Sequence, residues 1–215
     1  MLTCKIVLVG DAGVGKTCII SRFINDKFDK AQMTTACPCF CTKILKYPEY
    51  KKKINLDIWD TAGQEIYRSI SKLFYKNANV GVLVYDITRL KSFQSIKEYW
   101  YNELKENTES KIIFNVVGNK VDLFENEEVN DKEAKEFAKS INAGFYLTSA
   151  KSNTEIANLF IQSGLKFIDP NWSLESENNN NAEIIDNEDK KENEKEKGEN
   201  NLKIEKKNKK NKSFC

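Results

Sequence analysis

The chain has 215 residues, with 34 Lys plus Arg against 32 Asp plus Glu and no histidine. The near balance of charge argues against a nucleic-acid partner, and the missing histidine removes His-based acid–base schemes and His-ligated zinc. No apolar run approaches the ~18 residues of a membrane helix and no signal peptide stands at the start, so the chain is expected to be soluble and cytosolic, one domain plus a tail.

The first strand signal, at about 4–9, runs straight into Gly10-Asp11-Ala12-Gly13-Val14-Gly15-Lys16-Thr17, and the apolar Cys18-Ile19-Ile20 follows. This is the G-x-x-x-x-G-K-[ST] pattern in the strand–loop–helix setting that a phosphate-cradling loop requires. Glycines let the backbone wrap closely, so N–H groups of the segment Ala12, Gly13, Val14, Gly15, Lys16, Thr17 and Cys18 can turn toward phosphate oxygens at a helix N-terminus. Lys16 supplies a point charge for the β- and γ-phosphates, and the Thr17 hydroxyl is placed to ligate Mg²⁺. Strand signals at 38–46 and 54–60 flank a turn over 47–53, the only antiparallel hairpin expected. The second of these strands ends in Trp59-Asp60-Thr61-Ala62-Gly63-Gln64-Glu65. There Asp60 can hold Mg²⁺ through water, the Gly63 N–H can reach a γ-phosphate, and Gln64 can orient an attacking water.

A strand at 80–86 precedes a helix on which Phe93, Ile96, Trp100 and Leu104 form one apolar stripe. The buried run 112–118 then delivers Asn119-Lys120-Val121-Asp122 to the carboxyl end of a strand, where open α/β sheets bind ligands. A carboxylate at Asp122 accepts from the ring N–H and exocyclic amine of guanine, a donor pair that adenine lacks, so it selects against ATP. Asn119 and the stem of Lys120 position the loop and cover the ring face. After a strand at 145–148, Ser149-Ala150-Lys151 offers its backbone to the guanine oxygen. The last helix opens with Ser152 and Glu155 in capping-box spacing and buries Ile156, Leu159, Phe160 and Phe167. Alternating strands and helices imply an α/β, three-layer fold. Its six-stranded, mostly parallel sheet has one antiparallel strand and carries helices on both faces.

At this point the chain resembles a small GTPase of the Ras superfamily, most closely a Rab, over about residues 1–168. The match rests on the motifs above, on Leu83-Val84-Tyr85-Asp86-Ile87-Thr88, and on the altered segments Ile66-Tyr67-Arg68-Ser69-Ile70-Ser71 and Phe74-Tyr75-Lys76-Asn77-Ala78. The resemblance implies a Ras-like G domain over 1–170 that binds GTP and GDP with Mg²⁺. It makes Thr35 the switch threonine, whose hydroxyl ligates Mg²⁺ and whose N–H meets the γ-phosphate, and Phe28 the aromatic packed against guanine. Phe40, Trp59 and Phe74 fall where Rabs build an effector-reading aromatic triad. The implied function is a switch in vesicle traffic, with effectors, an exchange factor, a GTPase-activating protein and GDP-dissociation-inhibitor or escort proteins as partners. Hydrolysis is expected to be slow, because no arginine stands in the phosphate loop or in the switch segment around Thr35 as a finger in cis. The competing readings are a Ras- or Rho-type GTPase, a GTP-binding scaffold that does not cycle, and a P-loop enzyme using triphosphate energy for chemistry or transport.

Ala36-Cys37-Pro38-Cys39-Phe40 departs from the Ile-Gly-x-Asp-Phe type of sequence that Rabs carry here, which detaches this chain from any known effector list. Cys37, Cys39 and Cys41 alternate, placing all three on one face of a strand; small thiols on a half-buried surface are the expectation, and a reduced state suits a cytosolic chain.

From Asn171 the composition turns to 11 Asn, 10 Lys and 11 acidic residues in 45, so residues 171–215 are expected to be a disordered tail. Its 175–201 portion carries net charge −6 and 202–215 net +5, ending in Ser213-Phe214-Cys215. A cysteine behind a lysine cluster resembles the prenylated end of a Rab, although there is a single cysteine and no C-a-a-X box. Prenylation plus the lysines would hold the chain on the cytoplasmic face of intracellular membranes, with a lean toward endosomes and with a cytosolic pool. Cys215→Ser is expected to move a tagged copy into the soluble fraction; retention on the same membranes would contradict the anchor.

Overall fold

The computed structural model describes residues 1–30, 35, 39–61, 74–108, 111–172 and 182–185. Its strands are β1 (Leu2–Val9), β2 (Cys39–Tyr47), β3 (Lys52–Asp60), β4 (Val80–Asp86), β5 (Ile113–Asn119), β6 (Gly144–Thr148) and β7 (Glu183–Ile185). They form one sheet in the order β6-β5-β4-β1-β3-β2-β7. β1 pairs in parallel with β3 and β4, and β4–β5 and β5–β6 are parallel too. β2 is antiparallel to both β3 and β7.

The helices are α1 (Lys16–Asn25), α2 (Leu90–Ser95), α3 (Tyr101–Glu106), α4 (Asp131–Ser140) and α5 (Ile156–Ile168). A π-helical turn, Ile96–Trp100, joins α2 to α3, and a 3₁₀ segment spans Val121–Asn126. The two-residue period of β1 sends Cys4, Ile6 and Leu8 into one core, with α1 and α5, and Val7 and Val9 into a second, with α2, α3 and α4. The expected stripe Phe93, Ile96, Trp100 and Leu104 is buried in the second core as a unit. Because both faces are covered, β4 is buried along its whole length.

The six-strand expectation is one strand short. The seventh, β7, comes from the segment that composition assigns to the tail, and it gives β2 a second antiparallel neighbour. Trp172 and Ala182 also pack against the first core. The hairpin turn is tighter than expected, since β2 reaches Tyr47 and β3 starts at Lys52; Lys51 closes it by donating its N–H to Pro48 O at 3.0 Å with φ of 49°. No capping box forms on α5. Glu155 precedes the helix with φ of 56°, while the Ser152 N–H turns back to Ser149 Oγ at 3.0 Å. Local spacing there lost to the demands of the loop before it.

Phe23 of α1 stacks on Phe160 of α5 with centroids 4.1 Å apart, joining the helix that starts at the phosphate loop to the last one. Removing a buried aromatic leaves a cavity that a packed sheet cannot collapse. Phe160→Ala is therefore expected to lower the free energy of unfolding by about 3–5 kcal/mol in urea titration, and a loss under 1 kcal/mol would show that this seam is not a core element.

Candidate functional site

Three glycines give the loop after β1 its shape. Gly10, Gly13 and Gly15 have φ of 144°, 78° and 99°, a region that L side chains avoid. Space excludes a side chain as well: a Cβ at Gly10 would run into the Val84 carbonyl, and one at Gly15 into the Asn119 amide. The close approach at Gly15 is used, because Asn119 Nδ2 donates to Val14 O at 2.8 Å. The motif at the end of β5 is thereby bonded to the loop at the end of β1. Thr148 Oγ1 holds the other side of Asn119 by donating to its Oδ1 at 3.2 Å.

Lys16, the first residue of α1, is 5% exposed and donates to Gly10 O at 2.7 Å and Asp11 O at 3.1 Å. Burial pushes its ammonium down to about 8 against the opposing pull of Asp60 and Asp11, and Arg89 pushes the same way as burial. A buried cation of this kind is stabilised by an anion in the same cleft.

Thr17, next on α1, donates its hydroxyl to Asp60 Oδ2 at 2.6 Å and lies 2.6 Å from Thr35 Oγ1. Three segments far apart in sequence thus bring hard oxygens to one point. Asp60 Oδ1 is buried with no hydrogen-bond partner among the described residues, and burial raises the Asp60 carboxyl while Thr17, Lys16 and Thr35 oppose the rise. An orphaned carboxylate oxygen beside two hydroxyls suits a hard divalent cation, so the residues fit the Mg²⁺ that the motifs imply. Thr61 fixes the end of β3 by donating to Leu8 O at 2.6 Å.

The base end is built from two loops. Asp122 accepts from Ser149 Oγ at 2.6 Å and lies 3.6 Å from Lys151 Nζ. Lys120, with φ of 71°, anchors its ammonium on Asp86 Oδ2 at 2.6 Å, so its stem lies along the cleft. Phe28, Asn119, Lys120, Asp122, Ala150 and Lys151 line the same cavity, about 460 Å³, as Ala12, Gly13, Gly15, Lys16, Thr17, Cys18 and Thr35. One continuous cleft therefore runs from the phosphate loop to the base-reading carboxylate. Gly63, Gln64, Cys37 and Cys215 lie outside the described residues.

The aromatic triad assembles. Phe40 and Trp59 face each other across the β2–β3 pair at 4.9 Å between centroids, Trp59 meets Phe74 at 5.3 Å, and Lys5 Nζ sits 5.1 Å from the Trp59 ring. Phe40 is 50% exposed, an apolar ring left in solvent beside two others.

Four supporting residues make bonds that motif and periodicity do not reveal. Arg22 Nε donates to Ala150 O at 2.9 Å and Nη2 to Lys151 O at 3.3 Å, tying α1 to the base loop. Arg89 Nη2 donates to Ala12 O at 2.9 Å, so an arginine does reach the phosphate loop in cis, from the start of the helix after β4. Trp100 Nε1 donates to Asp11 Oδ1 at 2.9 Å from the π-helical turn, and Thr61 has been described. Each bond joins residues distant in sequence, three of the four residues donating to a main-chain carbonyl, and such bonds leave no local pattern to find.

The Ras family model matches residues 5–168. Among curated proteins, the chain is 40% identical to the human Ras-related protein Rab-30 over 164 residues, covering 76% of this chain and 79% of that protein. It is 42% identical to the bovine Ras-related protein Rab-21 over 157 residues, covering 73% and 69% respectively, and 41% identical to the human Rab-21 over 157 residues, covering 73% and 68%.

The depressed Lys16 ammonium has a measurable consequence. A phosphate beside it restores the charged form, so nucleotide binding at pH 8.5 should take up a proton that is already present at pH 6.5. Calorimetric titration of nucleotide-free chain with GDP, in two buffers of different ionisation enthalpy, should show this uptake at pH 8.5 only; no uptake at pH 8.5 would contradict the lowering of the Lys16 ammonium by burial.

Proposed function

The chain belongs to the Ras family of small GTPases, in its Rab branch, and from that premise we propose how its own residues divide the work of a GTP-timed switch. It is a Rab-like regulator of intracellular vesicle traffic that binds GTP or GDP with Mg²⁺, hydrolyses GTP, and works through regulators and effectors at intracellular membranes.

The observation that carries the assignment of roles is the meeting of Thr17, Thr35 and Asp60 at 2.6 Å spacings. In this reading Thr17 and Thr35 offer hydroxyls to the metal and Asp60 holds it through water. The bound Mg²⁺ supplies charge neutralisation for the β- and γ-phosphates. Lys16 sets its ammonium on the same phosphates, and the backbone of Ala12 to Cys18 cradles them. Asp122 pairs with the two guanine donors, the Ala150 N–H meets the guanine oxygen, and Phe28 and the Lys120 stem cover the ring faces. Loss of the third phosphate removes a partner from Thr35 and from the Gly63 N–H, and their segments are then released.

Hydrolysis is slow because Gln64 orients water without a guanidinium to offset charge on the transferring group. Arg89 does not serve as one: its Nη2 is committed to the Ala12 carbonyl, and it is not among the residues that line the cleft. An activating partner supplies the missing charge. Residues 1–170 form the switch. The residues after β7 form a tether whose lysine cluster and prenylated Cys215 together hold an anionic membrane, and endosomal membranes are the proposed site. The triad of Phe40, Trp59 and Phe74 is the effector face.

Gln64→Leu should reduce single-turnover GTP hydrolysis by about 10-fold or more, less than the ~100-fold low end for a true general base because Gln64 only orients the water, while leaving GDP affinity within about twofold. An unchanged hydrolysis rate would remove Gln64 from the mechanism and leave the binding assignment standing.

A further inference from the structure

A strand at the margin of a sheet presents unpaired N–H and C=O groups to any extended chain. On the margin beyond β2 this chain uses its own residues. Glu183, Ile184 and Ile185 lie opposite Lys46, Leu45 and Ile44 in antiparallel register. Lys46 Nζ reaches Glu183 Oε2 at 2.6 Å, and Ala182, just before the strand, packs on the first core.

The hold is shallow. Three register pairs form among the described residues, Glu183 and Ile184 are exposed, and the ion pair has side chains 41% and 57% in solvent. A short strand held so lightly exchanges with competitors that bury more. Its direction also matters. β7 runs antiparallel to β2, from the Lys46 end toward the Cys39 end, where Phe40 begins the exposed aromatic face. The strand therefore occupies the margin of the surface that the effector-facing aromatics share.

We propose that the outer edge of β2 at residues 44–46 is a strand-addition site for an extended segment of a partner protein, and that β7 is its resident competitor in cis. The partner segment resembles β7 in chemistry, with an acid opposite Lys46 and aliphatic side chains opposite Leu45 and Ile44. Occupation by β7 lowers the apparent affinity of such a partner by the fraction of time the edge is covered. This inference stands on the sheet alone and does not depend on which nucleotide is bound.

The test uses the full chain with Ile184→Pro and Ile185→Pro together. Successive residues of a strand turn their N–H groups to opposite sides, so two adjacent prolines remove whichever donor faces β2. Hydrogen exchange at those amides of 44–46 that face β7 should then quicken at least fivefold, while the ones turned toward β3, and Leu56 and Val82 in the central strands, stay unchanged as folding controls. A labelled synthetic peptide of residues 180–187, added in trans, should bind the double variant at least tenfold more tightly than the native chain. Glu183→Lys should quicken the same exchange, and Glu183→Lys with Lys46→Glu should restore it. Unchanged exchange at 44–46, or equal peptide binding by the two chains, overturns the proposal even if every nucleotide assignment holds.

Discussion

The contact on which the rest depends is the meeting of two threonine hydroxyls and a carboxylate: Thr17 at the start of α1, Thr35 from the segment before β2, and Asp60 at the end of β3. Each sits at the terminus of an element or beyond it, and each is bonded to a residue of another segment. Gly15 and Lys16 fix Thr17 through the phosphate loop, and the Thr61 bond to Leu8 O fixes Asp60 on the central sheet. Thr35 has a hydroxyl bond to Thr17 and itself belongs to no strand or helix. Two members of the trio are therefore built in and the third is recruited, an asymmetry that a ligand-dependent switch requires.

The base end is organised differently. Asn119 bonds to Val14 O, Arg22 bonds to the carbonyls of Ala150 and Lys151, and Ser149 bonds to Asp122. Side chain to backbone bonds between separate loops tie base recognition and the phosphate cradle into one rigid frame, independent of what occupies the γ-phosphate position. On the proposed reading guanine is held in either state, and the change of state falls on Thr35 and Gly63. The exposed ring of Phe40 lies at the boundary between these parts, on the strand that follows Thr35.

Much of this was legible in the sequence. The alternation of β1, the glycine pattern of residues 10–15 and the carboxylate of Asp122 at a strand end each follow from a local rule, and the structure brings their residues to one cleft. The motifs alone point to Thr17 and Asp60 as metal ligands, because those residue types carry hard oxygens; Thr35 follows only from family resemblance. What escaped was non-local. Arg22, Arg89 and Trp100 act on atoms 77 or more residues away, and two of the three act on main-chain carbonyls that every residue possesses. β7 escaped for another reason: an average over a tail rich in Asn, Lys and acids hides three residues that match an edge. The Ser152 and Glu155 spacing misled, because the loop that holds Ser149 against Asp122 forces Glu155 to positive φ and leaves Ser152 outside the helix.

The central claim is that a third phosphate engages Thr35 through its N–H and, with Mg²⁺, through its hydroxyl, while guanine is held alike in both states. Hydrogen exchange on the chain loaded with GDP and with a non-hydrolysable GTP mimic, both in Mg²⁺, tests this directly. The account predicts strong added protection with the mimic at the amides of Thr35 and Gly63, and equal protection in the two states around Asn119 and Ala150. Equal protection at Thr35 and Gly63 in both states would contradict it.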